Sequence, residues 1–63
     1  MSQNHAILAH LQRAPITPLT ALEVYGCFRL AARISDLRSS GHKIATEWVR
    51  KGEKRFARYR LVA

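Results

Sequence analysis

The chain has 63 residues, so it makes one domain at most and buries only about 60% of the surface its unfolded form exposes, which leaves a thin core. Apolar residues are 48% of it, with two Phe, two Tyr and one Trp, too many for a disordered basic tail, while 11 Lys+Arg against 4 Asp+Glu give a formal charge of +7. One cysteine allows neither an internal disulfide nor a four-ligand cysteine zinc site, no apolar run approaches the roughly 18 residues of a membrane helix, and the start lacks a basic-then-apolar leader; a folded cytosolic protein with no membrane role is expected.

In chain order, residues 4 to 12 place Ile7, Leu8 and Leu11 at helical spacing, with Asn4 or Ser2 as N-cap and Pro15 marking the end. Thr17-Pro18 is a cap followed by proline at the first helical position, which predicts a second helix from 18 to about 24. Gly26 stops it with positive φ, and only Tyr25, Gly26 and Cys27 separate it from the next periodic segment. No Ser, Thr or Asp precedes that third helix, which leaves Gly26 as its N-cap candidate.

The third helix is expected from about 28 to 40, with Gly41 as C-cap. Leu30, Ile34 and Leu37 fall within about 60° of one another, flanked by Cys27 and Ala31, whereas Arg29, Arg33, Asp36 and Ser40 gather on the other side beside Ala32 and Ser39. From Lys43 the period changes to two, and residues 44 to 49 and 56 to 61 alternate around the polar stretch 50 to 53, which predicts a β-hairpin. Pairing Arg50 with Glu53 across Lys51-Gly52 sets Ile44 opposite Tyr59 and Thr46 opposite Ala57, with Lys43 facing Arg60 and Ala45 facing Arg58 on the other side. A one-residue slip is excluded, because it would turn Arg58 and Arg60 into the core unpaired.

The charge is uneven along this layout. Residues 1 to 28 hold one cation and one anion, Arg13 and Glu23, so the whole +7 belongs to the third helix and the hairpin. That asymmetry predicts a surface facing a polyanion, with nucleic acid the first candidate and an anionic membrane or an acidic protein the alternatives.

The fold class is therefore mainly α with a C-terminal β-hairpin: three helices, the last two joined by a tight glycine turn, then a two-stranded basic wing, all in one domain over 1 to 63. The run YGCFRLAARISDLRSSGHKI, with EWV and KRFARYRL after it, resembles a small winged helix-turn-helix family found among phage and prophage proteins. The resemblance covers residues 5 to 61. It implies sequence-specific binding of double-stranded DNA in transcription control or excisionase-like assistance of recombination, with the third helix in the major groove. A cytoplasmic, nucleoid-associated place in a bacterial host follows as an expectation, and the chain departs from larger winged-helix regulators in having no extra helix after the hairpin for dimerisation or effector binding, so their self-association and ligand sensing are not carried over. Carried over by position, the reading face is Arg29, Ala32, Arg33 and Asp36, and the wing is Arg50, Lys51, Lys54 and Arg55.

Elementary chemistry supports these assignments. Arg29 and Arg33, four residues apart, present two guanidinium forks suited to guanine O6 and N7, and Asp36 either pairs with one of them or accepts from cytosine N4. Ser39, Ser40, Lys43, Arg58 and the wing cations suit phosphate oxygens. Trp48 and Tyr59 have the ring area to stack on bases, but the register sets them with Ile44 against the core; Phe56 falls on the basic face, as a partner contact or as a lid. His5, His10, His42 and Cys27 match no metal-ligand spacing, and the carboxylates are too few and scattered for catalysis, so no metal, cofactor, small-molecule ligand or enzymatic role is expected. The competing reading is a protein-interaction module on the same scaffold that docks on an acidic host factor through Phe56 and the wing. Target sequence and assembly on DNA, as monomer, homodimer or head-to-tail array, stay open.

Overall fold

In a computed structural model, which describes residues 3–62, the chain runs α1 (Gln3–Leu11), α2 (Pro18–Tyr25), α3 (Leu30–Ser39), β1 (Ile44–Lys51) and β2 (Lys54–Leu61). The expected class of three helices and a C-terminal antiparallel hairpin is what is found. Asn4 lies inside α1 and is not its cap, and the other candidate, Ser2, is outside the described residues. α2 begins as expected, with Thr17 Oγ1 accepting from the Thr20 backbone N–H at 3.2 Å and Pro18 in the first turn. Its end is set by Gly26 at φ 65°, whose N–H donates to the Leu22 carbonyl.

α3 starts two residues later than expected. Its N-cap is Arg29, at φ −123° and ψ 59° with no side-chain cap, and Phe28 and Gly26 both stand before it. The far end is closed by a Schellman motif: Ser40 is the last half-helical residue, Gly41 takes the left-handed conformation at φ 101°, and the N–H groups of Gly41 and His42 donate to the carbonyls of Arg38 and Leu37. Gly41 thus performs the stop assigned to it from sequence, one place outside the cap.

The core is one cluster to which each element contributes one to three side chains: Ile7 and Leu11 of α1, Ala21 of α2, Leu30, Ile34 and Leu37 of α3, Ile44 of β1 and Tyr59 of β2, with Cys27 from the turn. Ile16, between α1 and α2, is fully buried and exchanges two backbone hydrogen bonds with Tyr59 at 2.9 and 2.8 Å, a one-residue third strand along β2. Ala31, expected beside the core, is exposed. The core stripe is narrow, and 100° per residue carries position 31 off it toward solvent.

The hairpin register differs from the expected one by two residues. Ile44 faces Leu61, Thr46 faces Tyr59, Glu47 faces Arg58, Trp48 faces Ala57, Val49 faces Phe56, Arg50 faces Arg55 and Lys51 faces Lys54. A two-residue shift keeps every side chain on its face, so alternation alone does not detect it. The turn decides: Gly52 at φ 64° and Glu53 form the two-residue loop, with glycine at the first central position, whereas a loop centred on Lys51-Gly52 with the twist hairpins prefer places Lys51 at positive φ. Trp48 also departs from expectation. It shares a face with Ile44 and Tyr59 but sits beyond the edge of the core and is 65% exposed.

Candidate nucleic-acid interface

α2, its four-residue turn and α3 bring the chain to a helix whose one side is sealed by Leu30, Ile34 and Leu37. The opposite side carries small groups, Ala31, Ser35 and Ser39, all exposed, with Ala32 half-buried beside them. Side chains this short let the helix axis approach a partner closely. Of the predicted polar face, Arg33 and Asp36 come together: Arg33 Nη2 lies 3.1 Å from Asp36 Oδ2. Asn4 Nδ2 of α1 donates to the same carboxylate oxygen at 3.4 Å, so the pair leans toward the α1 flank of the helix. Arg33 Nε and Asn4 Oδ1 are buried there without a hydrogen-bond partner. Arg29 is exposed and stands as the N-cap of α3, at non-helical φ and ψ, instead of inside the helix.

At the other flank, Arg38 turns back onto the hairpin. Its Nε and Nη2 donate to the Ile44 carbonyl at 3.1 and 2.7 Å, and Nη2 also donates to Thr46 Oγ1 at 3.0 Å. This clamp joins α3 to β1, and nothing in the helical period singles Arg38 out for it. Ser39 and Ser40 are exposed at the end of α3, with Lys43 exposed just before β1.

Cross-strand pairing gathers Arg50, Lys51, Lys54 and Arg55 around the Gly52-Glu53 turn, two like-charged pairs directly opposite each other. Such pairs destabilise a bare hairpin by a few tenths of a kcal/mol to about 1 kcal/mol each. Pleating sends Arg50 and Arg55 to the face of Trp48, and Lys51 and Lys54 to the other, so the tip is cationic on both sides. Arg58 belongs to a different group. On the face away from the core its Nε donates to Glu47 Oε1 at 3.2 Å, with Arg60 Nε 3.5 Å from Oε2 of the same residue. Phe56 is half-buried on that face opposite Val49.

Two features are absent from the expectations drawn on sequence. Phe28, 85% exposed just ahead of α3, has a signal only if the helix is begun at 28 as the sequence predicts, which turns it outward; the Arg29 cap takes it off that period. Leu19 and Val24 of α2, both more than half exposed, have none, since an apolar helix of eight residues reads as a buried one. His10 serves as a tie from α1 to α2 and to the loop between them, with Nδ1 2.9 Å from the Tyr25 hydroxyl and Nε2 3.2 Å from the Pro15 carbonyl. That carbonyl only accepts, so the Nε2–H tautomer donates to it and Nδ1 accepts from Tyr25. The described residues enclose no pocket and bring no three His, Cys, Asp or Glu side chains together, and none of their helices is long and apolar enough to cross a membrane.

A family model described as a winged helix-turn-helix domain matches residues 2–63. No curated protein and no solved structure matches the chain. Three helices, a glycine turn between the second and third, a C-terminal hairpin and a family match over nearly every residue agree, and the chain belongs to the winged helix-turn-helix domain family.

Proposed function

We propose that the chain acts as a single domain that binds double-stranded DNA sequence-specifically, as a regulator of transcription or an accessory factor in recombination of phage or prophage type, without catalysis. The observation that carries this reading is the wing tip. Four cations held in two directly opposed like-charged pairs cost folding stability, and a polyanion at that tip converts the repulsion into attraction. α3 enters the major groove with its exposed side. Ala31 and Ala32 suit thymine methyl groups and Ser35 suits either base edge, while Arg33, released from Asp36 or sharing it, reaches guanine. Arg29, Ser39, Ser40 and Lys43 at the two ends of α3, and Arg50, Lys51, Lys54 and Arg55 of the wing, hold phosphates; Arg58 joins them by giving up part of its contact with Glu47.

Selection from a random duplex pool, followed by four affinities at one salt concentration, tests this division of labour. Arg33→Ala is expected to cost about 1 to 3 kcal/mol on the selected site and much less on random duplex, whereas Lys54→Ala weakens both about equally. Equal losses for Arg33→Ala on the two duplexes would make it a phosphate clamp. A palindromic product indicates a homodimer and a tandem product a head-to-tail array. The exposed Leu19 and Val24 favour a second reading, a protein-interaction module, which gains the lead if no sequence is enriched.

A further inference from the structure

Trp48 is the only tryptophan of the chain, and its position is unusual for so large an apolar group. It lies on the same hairpin face as the core residues Ile44 and Tyr59, two residue pairs along the ladder beyond the last of them, and is 65% exposed. Its directly opposed neighbour is Ala57, too small to cover an indole. The Arg55 guanidinium is set over the ring, 5.0 Å from the centroid, and Arg50 lies two residues along the same face. An exposed ring backed by a cation and surrounded by others is matched by a ligand that is anionic and carries flat apolar faces. Phosphates alone satisfy the cations and leave the indole wet; an acidic peptide supplies charge but no regular stacking surface.

Resting on the reading of the wing as a nucleic-acid surface, we propose that Trp48 is a stacking platform for an unpaired nucleobase, with Arg50 and Arg55 holding the phosphates on either side of it. Arg55 occupies one face of the indole and the base takes the other. The ligand form this adds is single-stranded or locally unpaired DNA, beyond the intact duplex approached by α3. An intact duplex offers no free base face to the ring, so stacking and duplex binding are separable properties.

Three ligands of matched length separate the contributions: a 12-nucleotide oligothymidylate, an abasic phosphodiester strand of equal charge, and an intact duplex. Oligothymidylate is expected to bind about 5- to 150-fold more tightly than the abasic strand, the range that one stacked base supplies. It is also expected to quench Trp48 emission, which the abasic strand leaves unchanged. Trp48→Ala lowers oligothymidylate affinity to that of the abasic strand, and Trp48→Phe keeps most of the difference; the wild-type comparison stands even if the alanine variant folds poorly. Equal affinity of the wild-type protein for both strands, or unaltered emission at saturating oligothymidylate, overturns the proposal. If the duplex is bound in that case, the duplex reading survives alone; if the strands are discriminated and the duplex is not bound, stacking survives and the duplex reading fails.

Discussion

Arg33 and Arg38, on opposite flanks of α3, do different work. Arg38 places three hydrogen bonds on β1, two of them on the Ile44 carbonyl, and so joins the helix to the wing. Charge-assisted bonds of this kind are worth about 1.5 to 3 kcal/mol each when buried and less in a half-exposed setting, so Arg38→Ala is expected to lower stability by about 1 to 3 kcal/mol, as urea unfolding would measure. Arg33, by contrast, is held by Asp36, a carboxylate on the side of α3 proposed to face DNA. Asp36→Asn removes that negative charge and frees the guanidinium. It is expected to tighten binding to random duplex several-fold at low salt, with the gain shrinking as salt is raised; unchanged affinity would mean that this flank of α3 does not approach the phosphates.

Among the elements, the hairpin carries the sharpest trade between folding and binding. Lys54→Glu turns the Lys51 pair into one of opposite charge, so thermal melts should show a gain of a few tenths of a kcal/mol to about 1 kcal/mol while duplex affinity falls. A variant that loses stability as well would show that Lys54 has a structural role beyond charge. α3 supplies the reverse case. Leu37 is buried with Leu30 and Ile34, and Leu37→Ala is expected to cost about 2 to 5 kcal/mol in a denaturation experiment, comparable with the stability available to a core of this size.

The legibility of these elements in the sequence depends on the kind of signal each leaves. Thr17-Pro18, Gly26, Gly41 and the change of period at Lys43 mark local events, and they set the boundaries of α2, the end of α3 and the existence of the hairpin correctly. The start of α3 is not legible because Phe28 and Arg29 carry no stop or start signal, and the register is not because alternation is blind to a two-residue shift. The face of Trp48 points it toward the core, but depth along the hairpin is set by where α3 and Ile16 end, a tertiary quantity. For the same reason the Ile16 bridge, the Arg38 clamp and the Arg58 pairing with Glu47 have no local signature, while the pairing of Arg33 with Asp36 at i,i+3 is readable from spacing.

At the scale of the whole molecule, folding leaves the charge asymmetry of the sequence intact. α1 and α2 contribute part of the core and an almost neutral surface, while α3 with its Arg29 cap, the Lys43 connection and the wing contribute the rest of the core's main side chains and every excess cation. Among the described residues, the ion pairs tie up Arg33, Arg58 and Arg60, and none reaches Arg29, Lys43, Arg50, Lys51, Lys54 or Arg55. Those six cations set the scale of the electrostatic term. If about 4 to 6 phosphates are neutralised, log K for duplex DNA falls against log salt with a slope of about −4 to −5. Fluorescence titration of a labelled random-sequence duplex at several salt concentrations is the most direct test of the proposed DNA-binding function. The predicted result is binding at low salt that weakens along that slope, and absence of binding at low salt, or affinity indifferent to salt, would contradict it.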